Sequence, residues 1–247
     1  MKTESNSQNT WFGVSMFLIG LIAGGAITFG MSGGLPGLNG ADERMPGGAP
    51  TAPTDQPTAM ERMLGAAEAA GLDEDAFEKC FADFSDENIL AEMEKGRTEG
   101  VSGTPGNILV NLKTKKAILL SGAQPFESFK TAIDELINSP SKPSAAGVEQ
   151  PASVPELTSD DHVRGNRKAD IAVFEYSDFQ CPFCTRVHGT YKQIIDHYGD
   201  QVMWVYRHFP LTSIHPDAVP YSKGSECAAK LGGEDAFWSF TDELFKS

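Results

Sequence analysis

Asp178-Phe179-Gln180-Cys181-Pro182-Phe183-Cys184 is the stretch on which the fold turns, since it sets two cysteines two residues apart where a strand gives way to a helix. Upstream, Ile171 to Tyr176 is an apolar run broken only by Glu175, the pattern of a buried strand. Downstream, Val187, Tyr191, Ile194, Ile195 and Tyr198 recur at helical spacing, and Gly199 stops the helix. Cysteines so placed can close a disulfide within one helical turn. Cys181 would meet unpaired backbone N–H groups and the positive end of the helix dipole, both of which stabilise a thiolate. The thiolate is the attacking species in disulfide exchange, so the pair reads as a reversible redox centre. Cys181, exposed at the helix start, is the expected nucleophile, and Cys184, one turn in, the buried resolving thiol.

Two blander readings compete. A C-x-x-C pair is half of a zinc site, but a structural zinc needs two more ligands, usually a second close pair. Cys80 and Cys227 are singletons, and none of the five histidines forms such a pair. An inert structural disulfide is the other alternative. The redox reading stands ahead of both.

The chain has 247 residues, enough for one or two domains, and a formal net charge of −14. That balance argues against nucleic acid, because a phosphate-binding surface needs clustered Lys and Arg. An even count of four cysteines fits an oxidising compartment. Trp11 to Met31 carries no charge and is long enough to span a bilayer as a helix. A cleaved signal peptide would have a shorter apolar region and a small-residue cleavage site, so an uncleaved anchor is the expectation. Lys2 places the 1–10 tail in the cytoplasm and everything after Met31 outside, which makes this a single-pass cell-membrane protein with an extracytoplasmic domain.

Residues 32–57 are rich in Gly, Pro, Ala and Thr and read as a flexible linker. Three short helical patterns follow within 58–138: one from Thr58 to Ala70, one capped by Asp73, one capped by Ser85. Next come the breakers Val101 to Gly106, then a hairpin of Asn107–Val110 and Ala117–Leu120. An amphipathic helix opened by Pro125 closes this segment. Residues 139–157 form a second linker. In 158–247, Gln201 to Arg207 is apolar on both faces and so should be an internal strand, and two helices meet at Gly232-Gly233.

The strand–CPFC–helix stretch, the run SECAAKLGGEDAFWSFTDELF (225–245) and the segment from Gly100 to Leu136 together resemble the DsbA-like branch of the thioredoxin superfamily. The resemblance covers nearly everything outside the anchor and linkers. It implies an α/β thioredoxin-like fold with an inserted helical subdomain. The order is inverted, however: 58–138 resembles the C-terminal half of the family and 158–247 its N-terminal half. A circular permutation is the first explanation, since domain termini lie near one another and the roughly 17 residues from Ser139 to Pro155 reach roughly 50 Å. A swapped dimer and a fragment of a tandem-domain protein are the alternatives.

The resemblance further implies a protein-disulfide oxidoreductase, most simply an oxidase of exported protein thiols, with no bound cofactor. A quinone-linked membrane partner of the DsbB or vitamin-K-epoxide-reductase type would reoxidise it. A reductase or isomerase would use the same residues, and a non-catalytic tethered binding module would use none of them. Glu175, six residues before Cys181, is then a buried carboxylic acid that relays a proton to Cys184 rather than a strand-edge Glu facing water. Pro105, after Thr104, matches the family's cis-proline facing the thiols, where an extended substrate pairs with exposed backbone. Thr104, Pro182 and Phe183 are the expected groove residues. Gly106 and Asn107 depart from the bulky residues that follow this proline in many relatives. DsbA has a histidine where this chain has Phe183, which implies a less oxidising centre here. Cys80 and Cys227, in the two halves of the helical insert, are expected to form a structural disulfide; free buried thiols are the alternative. His188 reads as a surface or partly buried residue, and Asp178 and Gln180 take no assigned role.

Overall fold

The computed structural model describes residues 57–140 and 149–246. The expected tail (1–10), anchor (11–31) and nearly all of the first linker lie outside the described residues. Among the described residues no helix is long and apolar enough to cross a membrane.

Three helices open the domain. Helix α1 (Ala59–Ala69) starts at a full capping box, in which Thr58 and Glu61 satisfy each other's backbone N–H. Helix α2 (Glu74–Asp83) is capped by the Asp73 carboxylate. Helix α3 (Glu87–Thr98) has Asp86, not Ser85, at its N-cap; the Ser85 hydroxyl accepts instead from the Glu87 N–H at 3.3 Å. Strands β1 (Gly106–Asn111) and β2 (Ala117–Ser121) form the expected hairpin, and α4 (Phe126–Asn138) follows.

The second segment adds β3 (His162–Gly165), β4 (Ile171–Ser177), α5 (Pro182–Tyr198), β5 (Val202–His208) and α6 (Ala218–Leu244). Strand β3 was not foreseen, because four residues of mixed polarity carry too little alternation to register. The two expected C-terminal helices run into one another as α6, with the break at Gly233, whose φ of +73° only glycine adopts without strain.

All five strands belong to one sheet in the order β2-β1-β4-β5-β3. The first segment supplies β1 and β2 and the second supplies the rest, so each segment completes the other's sheet within one chain. Strand β4 lies at the centre, antiparallel to β1 and parallel to β5. Both faces are covered, which is why β4 and β5 are buried along their whole length. One face packs Met63 of α1, Phe77 of α2, Phe129 of α4, and helices α5 and α6. The other packs against Met93 of α3 and against Val154 and Leu157.

Those last two residues lie in the expected 139–157 linker, whose final residues are part of the fold. The Leu119 N–H donates to the Glu149 carbonyl, and the Ala152 N–H donates to the Glu99 carbonyl. Composition suggests a tether here; tertiary backbone bonding overrides it. Cys80 of α2 and Cys227 of α6 are disulfide-bonded, with Cα atoms 5.8 Å apart. The bond joins the two segments across 147 residues of sequence.

Candidate active site

The C-x-x-C turn stands at the end of the central strand. Cys181 is the N-cap of α5, Pro182 takes the first helical position, where its missing N–H costs nothing, and Cys184 follows one turn later. The turn is fixed from below by Asp178. This carboxylate is fully buried: Oδ1 accepts from the Gln180 N–H, and Oδ2 accepts from the Leu211 N–H and from His215 Nδ1 at 2.7 Å. Gln180 and Asp217 bond reciprocally, the Gln180 amide donating to Asp217 Oδ2 and the Asp217 N–H donating to Gln180 Oε1. Asp178 and Gln180 therefore anchor the 209–217 loop to the cysteine turn. The sequence held one signal for this, the Asx-turn potential of an Asp two residues before Gln180; its loop partners, over thirty residues away, are invisible locally.

The Thr104–Pro105 peptide is cis and lies against the thiols, with the Cys181 thiol 3.5 Å from the Thr104 carbonyl. Cys181 is consequently buried, at 3% exposure, and not open to solvent as the helix-start position suggested. The cover comes from the other segment, which no local pattern around Cys181 reports. Beside Pro105 runs a groove of about 190 Å³ lined by Val101, Thr104, Pro105, Gly106, Leu119 and Gly122. Gly106 is required there: a Cβ would stand 2.5 Å from Val101 Cγ1. Asn107 points inward, donating to the Leu120 and Gly122 carbonyls and accepting from the Tyr191 hydroxyl. Phe183 is half exposed at the rim.

The two thiols are made unequal by their surroundings. Hydrogen bonding from the Cys184 thiol lowers the Cys181 pKa to about 5 against the opposing effect of burial. The Thr104 side chain and the backbone N–H groups of Cys184 and Phe183 add to the lowering. Cys184 moves the other way, held far above the usual thiol range chiefly by burial. Alkylation of the reduced protein by iodoacetamide is therefore expected to label Cys181 with a rate that rises through about pH 5, leaving Cys184 unreacted. Peptide mapping after a pH series checks this; a midpoint near that of free cysteine would refute it.

Glu175 is fully buried on β4, paired in register with Tyr206 of β5 and Asn107 of β1. Trp204 Nε1–H donates to its Oε2 at 2.8 Å. Burial pushes its pKa up to about 8, against the pull of Ser177 and Trp204, so the acid is protonated at neutral pH. The strand-edge alternative is thereby removed. His188 is buried and bonds Asp242 at 2.7 Å, which also pairs with Arg164 and Lys192. Burial lowers its pKa, and its ring serves the α5–α6 contact.

Residues 157–247 match the family model described as thioredoxin. An 85-residue stretch is 47% identical to the Na(+)/H(+) antiporter NhaA 1 of Mycolicibacterium gilvum, covering 34% of this chain and 13% of that protein. A 91-residue stretch is 41% identical to the Na(+)/H(+) antiporter NhaA 3 of Salinispora tropica, covering 37% and 13%. The chain thus spans about an eighth of the length of these curated relatives. Among solved structures, Pseudomonas aeruginosa DsbA2 is 35% identical over 35% of this chain and 48% of its own, with a TM-score of 0.33. With a C-x-x-C pair at the end of the central strand of its sheet, and with residues 157–247 matching the thioredoxin model, this part of the chain is similar to the thioredoxins.

Proposed function

We propose that this chain is a membrane-anchored, extracytoplasmic oxidase of exported protein thiols, acting through a Cys181–Cys184 disulfide, and that its inverted halves are a circular permutation. The observation that carries the reading is the inequality of the thiols. A low-pKa Cys181 is a good leaving group, and a high-pKa Cys184 is protonated once released. In the proposed cycle a substrate thiolate attacks Cys181, the Cys181–Cys184 bond breaks, and a mixed disulfide forms. A second substrate thiolate then attacks the substrate sulfur, expelling Cys181 as thiolate. The substrate dithiol is oxidised by two electrons and the cysteine pair is reduced. A quinone-linked membrane partner of the DsbB or vitamin-K-epoxide-reductase type would accept those electrons. The groove beside Pro105 offers backbone to an extended substrate segment.

A Cys181 pKa of about 5 lies above DsbA's, about 3.5, which supports a less oxidising centre. The test is oxidation of a dithiol peptide by the oxidised protein, followed by mass spectrometry, with Cys181→Ala as control. Stoichiometric oxidation that vanishes in the control is expected. Isolation with the pair reduced, together with efficient insulin reduction, would instead establish a reductase or isomerase. Activity surviving in Cys181→Ala would sink the cysteine assignment.

A further inference from the structure

Beneath Cys184 the sheet presents an unusual group of side chains. The pleat of β4 places Glu175 and Ser177 on one face, two residues apart, and the parallel register sets Tyr206 beside Glu175 on the same face. All three are buried to 1% exposure or less. Glu175 Oε1, the Ser177 hydroxyl and the Tyr206 hydroxyl share a further property: each is fully enclosed, and the only partners within reach among the described residues are one another and Cys184. Buried polar groups are nearly always paired, because an unpaired one costs on the order of 1–3 kcal/mol. Three enclosed groups with only one another to pair with, against a thiol that must gain and lose a proton, are the pattern of a site kept for proton transfer.

Ser177 is the member that reaches the rest. Its hydroxyl influences Glu175, Cys184 and Tyr206, and in each case it favours the charged form. The other titratable groups acting here are Cys181, Tyr191 and Asp178. Tyr191 of α5 also acts on Cys184 electrostatically, but its hydroxyl is occupied by its bond to Asn107. A serine hydroxyl both donates and accepts and rotates freely, so it can hand on a proton without gaining charge.

We propose that Ser177 is the proton link between Glu175 and Cys184, with the Tyr206 hydroxyl holding the Ser177 rotor in place. This rests on the redox reading of the cysteines given above. When the Cys181–Cys184 bond is cleaved by an attacking thiolate, Cys184 leaves with the electron pair. Ser177 passes its hydroxyl proton to that sulfur and takes the Glu175 proton in return, leaving a Glu175 carboxylate. When the disulfide re-forms, the same atoms run in reverse: Cys184 gives its proton to Ser177, and Ser177 gives one to the Glu175 carboxylate. Ser177 is a catalytic residue on this account, since it exchanges a proton with the reacting sulfur; Tyr206 is a positioning residue.

The experiment uses reduced full-length protein and oxidised glutathione, quenched in acid and read by mass spectrometry. Cys181 first attacks glutathione disulfide to give a mixed disulfide and release glutathione. Cys184 then closes the intramolecular bond and releases the second glutathione. For Ser177→Ala, the second step at neutral pH is expected to slow by about tenfold to a hundredfold, the range in which proton transfer contributes, so the mixed disulfide accumulates. Ser177→Thr, which keeps the hydroxyl, should recover most of that loss. Tyr206→Phe should slow the same step by a smaller factor, and Ser177→Ala combined with Glu175→Gln should be no slower than the worse single variant. An unchanged second step in Ser177→Ala, or additive losses in the double variant, overturns the proposal. Failure of the parent protein to form the mixed disulfide overturns the redox reading instead, so the two failures are distinguishable.

Discussion

Replacing both Cys80 and Cys227 with alanine is expected to lower the unfolding free energy by up to about 5 kcal/mol, the chain-entropy value for a closed loop of 147 residues at 25 °C. The loop is long because the bond joins the first segment to the last helix, so nearly the whole domain lies between its ends. Without it the unfolded chain gains the freedom to separate the two segments, and the folded sheet must recover that entropy from packing alone. The bond also ties α2 of the first segment to α6 of the second. Urea unfolding of the parent and the double variant, each with Cys181 and Cys184 held reduced, measures the difference. A loss below about 1 kcal/mol would mean that the two segments stay associated in the unfolded state and that the loop argument fails. A general loss of this size would remove much of the stability of a domain in the usual range of about 5–15 kcal/mol.

Glu175→Gln is expected to do two opposite things: stabilise the fold at neutral pH and slow exchange. The folded pKa of about 8 lies above the ordinary carboxyl value of 4.5, so between those limits the unfolded chain releases a proton that the folded chain retains. Stability therefore falls as pH rises from about 4.5 towards 8, by at most about 1.4 kcal/mol per pH unit. Glutamine cannot ionise in either state, and its carbonyl can still accept from Trp204. At pH 7 the variant is expected to be more stable by about 3 kcal/mol. Below about pH 4 the difference should vanish, since both states of the parent are then protonated. The same change removes the carboxylate that takes up the Cys184 proton, so disulfide closure should slow by roughly a hundredfold. Denaturation at acid and neutral pH, with exchange rates on the same samples, reads both effects. A stability gap that does not depend on pH would refute the protonated, buried state of Glu175.

The variant would show why such a residue persists: an acid that is costly to bury is retained at the position where its proton is used. The same reasoning applies to Ser177 and Tyr206, whose enclosed hydroxyls have only each other, Glu175 and Cys184 within reach among the described residues. None of this costs the fold its identity, because the surrounding strands are apolar and buried along their length.

Much of the fold was legible in the residues themselves. Strand β4, the cysteine turn and α5 follow from an apolar run, a helix-opening Pro182 and a 3.6-residue pattern ended by Gly199, all of which are local signals. The hairpin, the amphipathic α4 and the break at Gly232-Gly233 are local in the same sense. The pairing of Cys80 with Cys227 was expected from resemblance, and spacing alone could not have told it from two free thiols. What the tertiary structure alone decided are the contacts that cross segments. It covers Cys181 with Thr104–Pro105, turns Asp178 towards His215, seats Glu149 and Ala152 against the sheet, and gathers Glu175, Ser177 and Tyr206 beneath Cys184. The physical reason is that periodicity reports which face of an element is buried, whereas a thiol's pKa, a carboxylate's protonation and an unpaired hydroxyl depend on which atoms from distant segments fill the space against that face.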